Sequence, residues 1–150
     1  RPYHAAIDEM LDGMLAAGTV PAVFSIHSFT PFWKGVARPW HASILWDVDP
    51  RLPHLMIDGL RRHADLFIGD NEPYEGAMLN DTMYSHCNIR GLPHALLEVR
   101  QDLVVDDDGT EEWAGHLAPL LEDAIAMTDM HEVKFFGSRA GGIMSKGGGL

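Results

Sequence analysis

Apolar residues at Ile7, Met10, Leu11, Met14 and Leu15 recur three and four positions apart, and Gly18 follows them. That spacing predicts an amphipathic helix closed by glycine. Residues 22–27, AVFSIH, form a short apolar run between Pro21 and the turn Ser28–Pro31, which predicts a buried strand. Residues 28–41 carry Pro31, Gly35 and Pro39 and predict a long loop. Residues 42–47, ASILWD, predict a second strand. Asp49 is placed to cap a helix starting at Pro50, with Leu52, Met56 and Leu60 on its inner face. Residues 65–69, DLFIG, predict a third strand, and the polar stretch 70–80 a loop. Residues 81–90 predict a short helix that stops at Gly91, and residues 94–100, HALLEVR, a fourth strand. The run DDDG at 106–109 predicts a turn, and 110–128 the last helix, with Glu111 and Glu112 in its first turn and Pro119 as a kink.

The resulting order, α-β-β-α-β-α-β-α, alternates helices with strands that are apolar throughout. It predicts an α/β fold whose sheet is covered on both faces. Residues 1–130 read as part of one domain, and 131–150 as a flexible Gly-rich tail. The chain opens on Arg1 almost directly into a helical pattern, so an N-terminal part of the domain is expected upstream. The net charge of −11 disfavours phosphate-neutralising contacts with nucleic acid and docking on anionic lipid. No apolar run reaches membrane-spanning length. The lone Cys87 cannot form an internal disulfide and suits a reducing compartment, so a cytoplasmic location is expected.

In α/β sheets, sites form beyond the carboxyl ends of strands. His27 falls at such an end. Imidazole is a common metal ligand and acid–base group, although a histidine on an apolar strand is more often a core residue bonded to a carbonyl. Glu98 lies among Ala95, Leu96, Leu97 and Val99. Desolvation there would raise its pKa toward the range of a general base. Arg100 shares its strand face, so a structural Glu98–Arg100 pair is the alternative. The loop GDNEPYEG offers Asn71 and Tyr74 as hydrogen-bond donors, or is an ordinary exposed turn. Arg38 suits bidentate capture of a carboxylate, or is a surface arginine. His86 reads either as a helix-face histidine or as a site residue, and Cys87 as packing. The sequence carries no GxSxG, P-loop or dinucleotide fingerprint.

The stretches IHSFTP, GVARPWH, LWDVDPRL, GDNEPYEG and RGLPHALLEVRQDLV together resemble the N-formylglutamate amidohydrolase family, in order, over about residues 2–127. That family is similar in fold and mechanism to the zinc carboxypeptidases. The resemblance implies a three-layer α/β/α sandwich with a mostly parallel or mixed sheet and one catalytic Zn²⁺. It implies that His27 is a metal ligand and that Glu98, in LEVR, is the general base. The family's first metal ligands would lie upstream of Arg1. The implied substrate is a small N-acyl amino acid, held by residues drawn from Arg38, Asn71, Tyr74, His86 and Arg100. A carboxypeptidase-like hydrolase of a peptide or other acyl-amino acid, or a non-catalytic fragment keeping the fold without metal, are the competing expectations.

Overall fold

The computed structural model describes residues 2–140. In chain order the elements are α1 (Pro2–Ala16), β1 (Val23–Phe29), β2 (Phe32–Trp33), β3 (Val36–Ala37), β4 (Ala42–Leu45), α2 (Arg51–Leu60), β5 (Ile68–Asp70), α3 (Thr82–His86), β6 (His94–Arg100) and α4 (Asp107–Ala126). The main sheet has the order β1-β6-β4-β5. β1 runs parallel to β6, β4 antiparallel to β6, and β5 parallel to β4. The fold is α/β with a mixed sheet.

Alternation along β6 decides what each face becomes. Ala95, Leu97 and Val99 are buried on one face with Ala42 and Ile44 of β4. Against them pack Leu52, Met56 and Leu60 of α2, and Trp113, Leu117 and Leu120 of α4. Burying each such side chain fully contributes about 1.5–3 kcal/mol, so this layer is the main source of stability. The opposite face is covered only at one end. There Leu11 of α1, Met83 of α3, Cys87 and Leu92 are buried, with Val23 and Leu96 packed beside them. The rest of that face carries Ser25, His27, Glu98 and Leu45 and borders a cavity.

Several elements differ from the sequence reading. β1 continues through Ser28 to Phe29, so His27 sits two residues inside the strand. β1 is also an edge strand among the described residues, and Ile26 is 61% exposed rather than buried. The expected loop 28–41 contains the hairpin β2–β3, turned by Lys34 and Gly35, both at positive φ. Two such residues between short strands are the requirement of a two-residue hairpin turn. Helix α4 starts at Asp107, not 110, because the Asp106 carboxylate accepts the Gly109 N–H and caps it. The Asp49 carboxylate accepts the N–H of Arg51, so α2 begins one residue after Pro50.

The beginning of the expected flexible tail is held against the body. Arg51 is buried, pairs with Asp49 at 2.6 Å and donates to the carbonyls of Asp129, Glu132 and Gly91. Lys134 N–H donates to the carbonyl of Gly91, a residue whose φ of 65° places it in the left-handed region. These bonds are to backbone groups, which leave no hydrophobic period in the sequence. The remainder of the expected tail, 141–150, lies outside the described residues. Among the described residues no helix is long and apolar enough to cross a membrane.

Candidate active site

The parallel pairing of β1 with β6 sets His27 directly beside Glu98. His27 Nδ1 lies 3.7 Å from Glu98 Oε1. The His27 side chain is 56% exposed and that of Glu98 12%. The other carboxylate oxygen, Oε2, is buried and has no hydrogen-bond partner among the described residues. Burial raises the Glu98 pKa, and the nearby charges of His27 and Arg38 oppose that shift without cancelling it. A carboxylate so placed is a base stronger than one in water. Both residues line a cavity of about 400 Å³, together with Tyr3, Ser25, Leu45, Trp46, Asp47, Tyr74, Met83 and His94.

Arg38 reaches this region from the segment after β3. It is 8% exposed. Its guanidinium carbon lies 5.5, 5.4 and 5.2 Å from the ring centres of Phe29, Trp33 and Tyr74. Three aromatic faces thus hold the cation by cation–π attraction. One long bond, 3.5 Å to the carbonyl of Thr30, uses a single donor. The remaining N–H groups suit a planar anion such as a carboxylate.

The loop that carries Tyr74 is shaped by Asn71 and Gly76. Asn71 sits at φ 55°, and its side-chain oxygen accepts the N–H groups of Trp46 and Gly76 at 3.0 Å each. A Cβ at Gly76 would lie 2.1 Å from the Trp46 nitrogen, so only glycine allows the loop to press on the end of β4. The side-chain oxygen of Asn71 is therefore occupied by the loop, and Tyr74, Glu75 and Gly76 of the loop line the cavity.

Two other candidates lie elsewhere. Arg100 pairs with Asp102 at 2.7 Å and donates to the carbonyls of Arg38 and Trp40. That pairing holds the Asp102 carboxyl below its usual pKa. Arg100 is thus spent on fixing the segment that presents Arg38, and the alternative Glu98–Arg100 pair is not formed. His86 is buried between α1 and α3, where its ring nitrogens meet His4 at 2.7 Å and Asp8 at 2.9 Å. It does not line the cavity around Glu98. The Cys87 thiol is buried and pushed up to about 12, which makes it inert at neutral pH.

The family model of N-formylglutamate amidohydrolase matches residues 1–105. The chain belongs to the N-formylglutamate amidohydrolase family. A crystal structure of a gene product from Agrobacterium tumefaciens is similar, at 33% identity and a TM-score of 0.75. The match covers 83% of this chain and 50% of the solved one, so the chain spans about half the length of that protein. No curated protein matches the sequence.

The family resemblance implies zinc, and a catalytic zinc is held by three protein ligands. Among the described residues, no three His, Cys, Asp or Glu side chains gather as a metal-binding set. The exposed ring of His27, beside a carboxylate unpartnered among the described residues, fits one ligand of such a set. The other ligands are not supplied by the described residues. Sequence reasoning passed over Asp47, Glu75, Asp81 and His94, which also line the cavity. Their signal was weak. His94 and Asp81 each fall at the start of a predicted element, where a polar residue is ordinary.

Proposed function

We propose that this cavity hydrolyses the amide bond of an N-acyl amino acid, of which N-formylglutamate is the type named by the family, with Glu98 as general base. The observation that carries the reading is the buried, unpartnered Oε2 of Glu98 beside His27. An acceptor left in that state costs free energy unless a ligand or water uses it. Its raised pKa makes it a better proton acceptor for an attacking water than an ordinary carboxylate is. As the water oxygen bonds to the acyl carbon, Glu98 takes its proton. Glu98 then gives that proton to the nitrogen as the C–N bond breaks, and a carboxylic acid and a free amino acid leave.

Arg38 has donors free for the substrate's α-carboxylate, within electrostatic reach of Glu98. Tyr74 lines the cavity and lies 5.2 Å from the Arg38 guanidinium, which stands behind it rather than in the lining. A Zn²⁺ held by His27, with ligands that the described residues do not supply, would polarise the acyl carbonyl and lower the pKa of water to about 7. The net charge of −11 agrees with a small-molecule substrate rather than a nucleic acid. A cytoplasmic setting is part of the same reading, supported by the free Cys87.

The test is hydrolysis of N-formyl and N-acetyl amino acids by the zinc-supplemented full-length natural protein, followed by the amine released. The expected result is turnover with about one zinc per chain, both lost in His27→Ala. Neither zinc nor turnover in the full-length protein would contradict the reading and favour a chain that keeps the fold without the chemistry.

A further inference from the structure

The cavity extends well past Glu98. His94 lies four residues earlier on β6 and on the same face, which at ~3.3 Å per residue is about 13 Å along the strand. It is 4% exposed and lines the cavity. Its Nδ1 is 2.7 Å from the carbonyl oxygen of Leu92. That bond keeps the proton on Nδ1 and leaves Nε2 as a lone-pair acceptor with no partner among the described residues. Burial lowers the His94 pKa even though Asp49, Asp47 and Asp81 act to raise it, so the ring is neutral at pH 7.

Asp47, Glu75 and Asp81 line the same part of the cavity. The Arg139 guanidinium meets Glu75 at 3.1 Å and Asp47 at 3.5 Å. Asp81 has no cationic partner among the described residues, and its Oδ1 accepts the Tyr84 N–H to cap α3. Two of the three carboxylates thus share one guanidinium, and among the described residues Asp81 is left without one. No Lys or Arg lines the cavity among the described residues.

We propose that this far end is the side-chain subsite and takes a cationic side chain, as in an N-acyl arginine or N-acyl lysine, with His94 Nε2 and the Asp81 carboxylate as acceptors. The proposal rests on the amide-hydrolase reading for the position of the scissile bond. With the acyl group at Glu98, a long side chain lies along the cavity toward His94. A glutamate side chain would carry a second carboxylate onto a wall of net negative charge, where like charges repel. A guanidinium or ammonium group brings only donors, which match the acceptors His94 Nε2 and the Asp81 carboxylate.

The test compares kcat/KM of the zinc-loaded full-length natural protein for N-formyl-L-arginine and N-formyl-L-glutamate. The expected result is a preference for arginine of about tenfold or more at low salt, narrowing as salt screens the wall. Asp81→Asn keeps the helix cap, since Asn caps as well as Asp, and is expected to lower that preference severalfold. Equal or better use of glutamate overturns the subsite while leaving the hydrolase reading standing. Hydrolysis of neither compound overturns the hydrolase reading, and calorimetric binding of the two then decides the subsite. Tighter binding of the arginine derivative supports it, and equal or tighter binding of the glutamate derivative overturns it.

Discussion

Glu98 holds a carboxyl group on a strand whose other face is core, with one oxygen buried and unpartnered among the described residues. Because burial raises its pKa, the folded state holds the Glu98 proton more tightly than the unfolded chain does. Its contribution to stability is then present at pH below the ordinary carboxylate value and is lost as pH rises through the folded value. Glu98→Gln is accordingly expected to raise the melting temperature at pH 7–8, with the gain vanishing near pH 4, as read by thermal unfolding across that range. Arg38 makes a different prediction. Removing a charge-assisted hydrogen bond of about 1.5–3 kcal/mol should raise KM by roughly tenfold to a hundredfold in Arg38→Ala, with a smaller effect on kcat. Steady-state kinetics on one N-acyl amino acid separates the two parameters. Glu98 stood out in the sequence because its neighbours on the strand are apolar, whereas Arg38 and Tyr74 lie outside the strands and are brought within 5.2 Å of each other only by the fold. His86 was not legible, because its partners His4 and Asp8 are remote in sequence and no local pattern announces them.

Among the elements, the strands and long helices followed from periodicity, and the departures have local causes. The β2–β3 hairpin has only two residues per strand, too few for an alternating pattern to show. The segment after α4 is held by the buried Arg51, whose donors go to Asp49 and three carbonyls. Arg51→Ala would leave the Asp49 carboxylate buried without its partner, and breaking such a pair costs about 3–5 kcal/mol. Chemical denaturation should read that loss, and hydrogen exchange should speed at Lys134, whose N–H is bonded to Gly91. At the site, Gly76→Ala would push its Cβ into the Trp46 backbone, so the loop bearing Tyr74 must move. Lowered kcat/KM with a melting temperature reduced by only a few degrees is expected, checked by kinetics and calorimetry on the same sample.

At the scale of the whole molecule, the mixed sheet does two jobs with its two faces. One face buries the apolar side chains of α2 and α4, and the other is only partly covered and so leaves a cavity along β1 and β6, from His94 to Glu98. The α/β class was legible, but the expected cover on both faces was not met among the described residues, because Ser25, His27 and Glu98 place polar side chains on the second face, which borders the cavity. The antiparallel placement of β4 beside β6 was not, because strand direction depends on contacts distant in sequence. The excess of acidic residues, net −11, continues into the cavity wall, where Asp47, Glu75 and Asp81 stand. Everything proposed about chemistry turns on the carboxylate of Glu98. The direct measurement is amide hydrolysis by Glu98→Gln in the zinc-loaded full-length natural protein, with zinc content determined on the same sample. Loss of turnover by about 10²–10⁴-fold with zinc retained is the expected result for a general base. Turnover within a few-fold of the unsubstituted protein would contradict the role assigned to Glu98.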